Sequence, residues 1–340
     1  MLNTIYRLRS PRNFEIAVKD EQPENHVVVR PISLSICHAD QRYYQGKRAK
    51  AVLDKKLPMA LIHEGIGEIV ADYTGTFSVG ERVVMVPNMP AEKDDVIAEN
   101  YAFTSRFRGS TADGFMQEYI VTDPDRLVTL PENIDLEVAT FLEMVTVSYH
   151  AISRFKKIAH SRRNIIGVWG DGNLGFMTSL LIKHMLPESR LYVFGIDQNK
   201  LADFTFSDEC LIVNDLPKGL RIDHAFECVG SAASASAIDQ IIDCINPEGT
   251  ISLLGVSEES VPINTRMVLE KGLRLFGSSR SGREDYLGTV KLLNDNPDIV
   301  QYLRTLVGCV KTVRCLADAV EAFETDISKS MGKTIMKWEI

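Results

Sequence analysis

Apolar positions along the first third of the chain come in short, closely spaced runs. Residues 26–36 form a β-branched, strand-like run interrupted by Pro31. Ile66 to Val70 and Arg82 to Val86 are two further short strands, and Gly65, Gly67, Gly75 and Gly80 punctuate them. Gly114 to Val121 and Arg126 to Leu130 continue the pattern. Short strands separated by glycine turns predict a β-rich, barrel-like domain up to about residue 131. Between the strands, Arg42-Tyr43-Tyr44-Gln45-Gly46-Lys47-Arg48 reads as a loop, and residues 88–113 form a long polar segment.

The pattern then changes. Ile165 to Trp169 is a buried-strand run, and Phe176 to Met185 follows as an apolar helix. Leu191 to Phe194, Cys210 to Val213, His224 to Phe226, Thr250 to Leu254 and Leu273 to Phe276 are further strands, and Ala232 to Cys244 is helical. Strands alternating with helices predict a parallel, doubly wound α/β sheet, with ligands at the carboxyl ends of its strands. Two helical runs, Gly288 to Asn294 and Leu316 to Asp326, and a last strand, Lys333 to Trp338, complete the chain.

Between the first of these strands and its helix lies Gly170-Asp171-Gly172-Asn173-Leu174-Gly175. This is G-x-G-x-x-G in a strand–turn–helix setting. Gly170 allows the tight turn, Gly172 lets a pyrophosphate approach the backbone, and Gly175 lets the helix pack on the strand. The phosphates would rest on the helix N–H groups around Asn173 and Leu174. An NAD site usually places Asp or Glu at the end of the second strand, where it accepts from the ribose 2′-hydroxyl. Here that place is Gly195, with Asp197 and Lys200 beyond it. Gly195 leaves room for a 2′-phosphate, so NADP(H) is the expected cofactor. Gly230, after the fourth strand, is a further candidate contact.

Composition narrows the class. The chain has 340 residues, a formal net charge of −8 and a balance of 45% hydrophobic and 25% charged residues, so it can hold more than one core. No basic cluster with interleaved aromatics points to nucleic acid. No apolar run is long enough for a bilayer span and the N-terminus has no signal-peptide pattern, so the expectation is a cytoplasmic protein without a membrane. The six cysteines are scattered, which argues against a disulfide framework. Cys210, Cys228 and Cys244 have apolar neighbours and are expected in the core.

Cys37 has polar company. Cys37-His38-Ala39-Asp40 and, further on, His63-Glu64-Gly65-Ile66-Gly67 offer a thiolate, an imidazole and a carboxylate, the ligand types of a catalytic zinc with one open position. The plain alternative is a buried cysteine and a surface His-Glu pair. The cations of the 42–48 segment fit either a solvated loop or a loop facing an anionic substrate group such as a phosphate.

These residues together resemble the zinc-dependent medium-chain dehydrogenase/reductase family over essentially the whole chain. The similarity rests on Cys37-x-x-Asp40 with Gly46, on His63-Glu64-Gly65-x-Gly67, and on the glycine motif. It implies a GroES-like β-barrel catalytic domain (1–140), an NADP-binding Rossmann domain (141–284) and a return to the catalytic domain (285–340). Cys37 to Tyr44 and Leu142-Glu143-Met144-Val145-Thr146-Val147 look like the polyol dehydrogenase branch, which implies Glu143 as a metal neighbour. The implied ligand set of one zinc is Cys37, His63, Glu64 and Glu143, with either carboxylate able to step back. The sequence departs from the family in three ways. Residues 88–113 lack the four cysteines of a structural zinc, and Ala39 and Arg42 replace a relay hydroxyl and a relay histidine.

Ala39 to Tyr44, Leu57-Pro58-Met59, Asp94 to Tyr101, Asp223 to Cys228 and Gly277 to Gly282 are similar to the ribulose-5-phosphate reductase group of the CDP-ribitol branch of wall teichoic acid synthesis. That similarity implies NADPH-dependent reduction of a phosphorylated ketose to its alditol, with Cys37, His63 and Glu64 as catalytic-site residues, and the cation at Arg42, a departure from the family, joins them because it fits a phosphorylated substrate. Arg42 is the first candidate for the substrate phosphate, ahead of Lys47 and Arg280, and Arg280 could equally hold the cofactor's 2′-phosphate or be solvated. The proton donor is open among a metal-bound water, Glu64 and His38. A homo-oligomer (dimer or tetramer) and a complex with a cytidylyltransferase are implied only by the resemblance. The rival readings are an NAD-dependent polyol dehydrogenase acting on an unphosphorylated sugar alcohol and a nucleotide-binding protein without chemistry.

Overall fold

The structure is a computed structural model that describes every residue except Ser330. The chain forms two compact units, Met1–Thr146 with Ser281–Ile340, and Val147–Arg280. The first break falls inside the helix Leu142–Ile158.

The first unit opens with a hairpin that the hydrophobic pattern did not announce. Leu2–Ser10 pairs antiparallel with Asn13–Asp20, and Met59–Ala60 joins its other edge. Seven more strands make the main sheet. Its path runs Leu127–Thr129, Arg82–Met85, Glu64–Asp72, Val27–Ser35, Lys333–Trp338 and Val307–Val313, with Ile120–Thr122 off the path beside Val27–Ser35. Pro31 has a clear place in it. On one side of Val27–Ser35, residues Val27 to Val29 pair with Ile120 to Thr122, whereas Ser33 to Ser35 pair with Ile335 to Lys337. Pro31, which has no N–H to donate, lies between the two partners, and a register shift against Glu64–Asp72 follows it. The sheets enclose one core that includes Leu8, Val29, Tyr44, Phe115, Phe323 and Trp338. Among the described residues their ladders do not close into a ring, so the expected barrel is realised as packed open sheets.

The expected strand Gly114 to Val121 is only partly regular, since Ile120–Thr122 alone joins a ladder. The N–H groups of Gly114, Phe115 and Met116 donate instead to the carbonyls of Ala60, Ile62 and Leu61. A Cβ at Gly114 would lie 2.2 Å from the Leu61 oxygen, so glycine alone permits this approach. The segment leading into His63 is thereby clamped. The loop expected at residues 42–48 is in part helix, His38–Tyr44, and a second short helix, Lys50–Lys56, follows.

The second unit matches the alternating pattern closely. Six parallel strands stand in the order Glu209–Ile212, Arg190–Gly195, Ile165–Trp169, Ile222–Glu227, Ile245–Leu253 and Arg274–Gly277. This is the doubly wound dinucleotide-binding order. Trp169 and Phe194 stack with ring centroids 3.7 Å apart in its core. Cys228 is buried, as expected, and Cys244 is half-buried, but Cys210 is exposed because its short strand Glu209–Ile212 forms the edge of the sheet.

Asp223 fixes the start of the central strand. Its Oδ2 accepts from the N–H groups of Asn164 (2.8 Å) and Ile165 (3.2 Å), and its Oδ1 accepts from Asn246 (2.9 Å) and the Arg162 guanidinium (3.2 Å). Burial pushes the carboxyl up, but these hydrogen bonds and Arg162 more than offset it and hold the group below its usual range. A depressed folded-state value adds stability above the unfolded value, and that stability is lost as pH falls through the folded one. Asp223→Ala is therefore expected to cost about 2–3 kcal/mol at neutral pH. Chemical denaturation should show the cost shrinking below about pH 4, and an undiminished cost there would remove the carboxylate from the account.

Candidate active site

Cys37 is the N-cap of the helix His38–Tyr44, and its own N–H donates to Asp40 Oδ2 at 3.1 Å. Asp40 is fully buried. Its Oδ1 accepts from the Ile62 N–H at 3.0 Å and lies 3.5 Å from His63 Nδ1. One carboxylate thus ties the helix that carries Cys37 to the segment that carries His63. Ile62 itself adopts φ 71°, a left-handed conformation unusual for a β-branched residue, immediately before His63. Glu64 starts the strand Glu64–Asp72, and Glu143 sits in the first turn of Leu142–Ile158.

The fold brings all four implied metal ligands together. Ligand atoms of Cys37, Asp40 and His63 lie within 4.8 Å of one another, as do those of His63, Glu64 and Glu143. Both groups share His63, so among the described residues they form one centre. Burial pushes the Cys37 thiol up, against the pull of His63 and Lys333. Burial also works against a charged His63, yet Asp40 and Cys37 outweigh it and raise the imidazole well above its usual value. Glu143 is pushed up to about 7, chiefly by burial and further by Glu64, with His63 and Lys333 opposing. Such a pocket of sulfur, imidazole and carboxylate donors favours a cation at its centre, and the donor set is the one that suits zinc.

Lys333 belongs to this centre and was not legible in the sequence. It is 2% exposed. Its ammonium donates to the Ile36 carbonyl at 3.0 Å and to Glu64 Oε1 at 2.8 Å, and lies 2.8 Å from Glu64 Oε2 as well. Burial lowers its pKa, but Glu64 and Cys37 turn the balance upward and keep it charged. Tyr286, fully buried, is another unforeseen neighbour. Burial and then Glu143 push its hydroxyl well above the ordinary range. The only sequence signal for Lys333 was a lysine opening a strand in which every residue but Lys337 is buried.

Arg42, in the last turn of His38–Tyr44, is half-buried and stands outside the metal-donor groups. With Lys47 and Arg48 it adds to the burial that lowers His38. Asp326 opposes these cations.

The glycine turn has the expected form. Gly170 adopts φ 130° and Gly172 caps the helix Asn173–Met185, whose first turn contains Asn173, Leu174 and Gly175. A Cβ at Gly175 would lie 1.9 Å from the Gly170 oxygen. A cavity of about 520 Å³ lies beside the turn, and Gly170, Gly172 and Gly195 line it with Asp171, Asn214 and Ser231. Gly230 lies in the loop after the strand Ile222–Glu227, with φ 72°. Lys200 is not among the lining residues, and its N–H is taken up by the Asp197 side chain that caps Gln198–Leu201.

The structure corrects the reading of Gly195. A Cβ there would lie 2.7 Å from Asp171 Cβ and 2.8 Å from Asp171 Oδ2. That oxygen accepts from the N–H groups of Ile196 (2.8 Å) and Asp197 (2.9 Å). The space left by Gly195 is filled by the Asp171 carboxylate, so a carboxylate does stand at the end of the second strand, supplied by the glycine turn.

Comparison with known proteins places the chain in a family. The alcohol dehydrogenase GroES-like domain matches residues 23–132, and the zinc-binding dehydrogenase domain matches residues 200–295. The chain is 56% identical to the ribulose-5-phosphate reductase of Bacillus spizizenii over the full length of both. It is 53% identical to ribulose-5-phosphate reductase 1 of Staphylococcus aureus over 99% of each chain. The crystal structure of S. aureus TarJ in complex with NADPH superposes with a TM-score of 0.90 at 48% identity, covering both chains completely. On this evidence the chain belongs to the zinc-binding dehydrogenases with a GroES-like alcohol dehydrogenase domain.

Proposed function

We propose that the chain reduces D-ribulose 5-phosphate to D-ribitol 5-phosphate with NADPH, as a cytoplasmic enzyme that feeds CDP-ribitol for wall teichoic acid synthesis. The observation that carries this reading is the centre of Cys37, His63, Glu64 and Glu143 in a chain 56% identical, end to end, to a ribulose-5-phosphate reductase. A homo-oligomer and an association with a cytidylyltransferase belong to the same proposal.

Zinc fits the donors present, with Cys37 and His63 holding it and Glu143 or Glu64 completing the set. When bound it supplies a Lewis acid that polarises the C2 ketone. The Gly170–Gly175 turn would hold NADPH, which would supply the hydride. The chain's own residues do the rest. Asp40 faces the Nδ1 side of His63 and so leaves the other ring nitrogen for the metal. Lys333 holds Glu64 by its carboxylate and thereby favours Glu143 as the freer ligand. Arg42, Lys47 and Arg48 act on His38 as positive charges, with Asp326 opposing, and would attract a dianionic substrate.

The Asp171 carboxylate favours a second reading, an NAD-dependent polyol dehydrogenase acting on an unphosphorylated sugar alcohol. Rates of cofactor oxidation decide between the two. NADPH with ribulose 5-phosphate is expected to exceed both NADH with the same substrate and NADPH with ribulose by at least about tenfold. Equal rates with ribulose would overturn the substrate, and equal rates with NADH the cofactor preference.

The metal has its own tests. Cys37→Ala is expected to lose zinc by elemental analysis and to lose turnover by roughly three orders of magnitude. Raised folded-state values at His63 and Glu143 both mean that stability is lost as pH rises through them. The metal-free protein should therefore melt at a lower temperature at about pH 8 than at about pH 6, with zinc removing most of that slope by displacing the protons. Calorimetric titration of the metal-free protein should show protons released on zinc binding. No release would contradict this ligand set.

A further inference from the structure

Lys56 ends the helix Lys50–Lys56, and its ammonium donates to two hydroxyl oxygens, Tyr43 Oη at 2.9 Å and Ser110 Oγ at 3.1 Å. Among the described residues no carboxylate stands within ion-pair distance of it. The Arg48 guanidinium packs 4.9 Å from the centroid of the Tyr43 ring, and Lys56 Nζ lies 5.6 Å from the same centroid. Two cations therefore crowd one buried ring, and their mutual repulsion falls when an anion joins them.

The hydrogen bonds show how an anion would be held. Each hydroxyl accepts from Lys56 and keeps its own O–H to donate. Lys56 has three N–H groups and spends two. Three donors, one each from Lys56, Tyr43 and Ser110, are thus unspent among the described residues. They match in number the three terminal oxygens of a phosphate monoester.

The cluster is built on the segments that carry the metal donors. Tyr43 shares its helix with the N-cap Cys37, six residues earlier, which is about 9 Å along the axis. That span is comparable with the length of a pentulose phosphate. Ser110 follows Phe107, whose ring lies 5.4 Å from that of His63, and a Cβ at Gly109 would touch the Ile62 backbone at 3.3 Å.

We propose that Lys56, Tyr43 and Ser110, with Arg48 beside them, seat the terminal phosphate of the substrate. This rests on the reading of the substrate as a ketose 5-phosphate. Arg42 and Lys47 then attract that phosphate without seating it.

The test measures NADPH oxidation by the zinc-loaded enzyme with ribulose 5-phosphate and with ribulose. It uses wild type, Lys56→Met, Ser110→Ala and Arg42→Gln, each checked for an unchanged melting temperature. Lys56→Met is expected to raise KM for ribulose 5-phosphate about 10- to 100-fold, with kcat changing far less, and to abolish most of the preference for the phosphorylated substrate. Ser110→Ala should move KM in the same direction by a smaller factor, and Arg42→Gln by less than Lys56→Met. Inorganic phosphate should compete with ribulose 5-phosphate in wild type and lose that competition in Lys56→Met. A wild type without preference for the phosphate would overturn the substrate itself. A wild type with the preference, kept intact in Lys56→Met or lost only in Arg42→Gln, would overturn the seat alone. If Lys56→Met fails to fold, the Ser110→Ala shift and its phosphate competition decide.

Discussion

Acidic side chains buried around a single point impose the strongest constraint on this molecule. Asp40, Glu64 and Glu143, with the half-buried Cys37, converge where little water reaches, and such a gathering is costly unless cations answer it. His63 answers at the centre and Lys333 at the edge. The local architecture follows from keeping these groups at fixed distances. Asp40 caps the helix that begins after Cys37 and also holds the Ile62 N–H. Gly114 lets a second backbone lie against residues 61 and 62. A metal cation is the further charge that such a donor set would favour.

Much of the arrangement was legible because its signals are local. Glycines at 170, 172 and 175 sit between an apolar strand and an apolar helix, and that order of residues admits few structures. The six parallel strands of the second unit could be read one by one for the same reason. What escaped depends on distant contacts. Lys333 meets Glu64 across 269 residues, and no spacing rule links them. The hairpin Leu2–Ser10 with Asn13–Asp20 hid its period because Ile16 and Val18 are exposed while polar Asn3 is buried.

Gly195 shows how a correct observation can carry the wrong cause. The residue is small, as a site for a bulky cofactor phosphate requires. Its smallness serves the neighbouring Asp171 carboxylate, which needs the space to reach the N–H groups of Ile196 and Asp197. Two backbone donors fix that carboxylate at the end of the second strand. A sequence shows the missing side chain and not the neighbour that fills its space.

The ion pair of Lys333 with Glu64 also has a consequence in time. Synthesis proceeds from the N-terminus, so every acid of the centre is made before its lysine, and Glu143 precedes Lys333 by the whole of the unit Val147–Arg280. Until that stretch has been made, residues 1–146 lack both the strand Lys333–Trp338 and the buried cation it brings. The nascent chain therefore completes its second unit, which is continuous in sequence, before it can finish the first. The order of the genetic message makes the second unit the earlier one to be complete, and the acidic hollow waits for the residues that follow it.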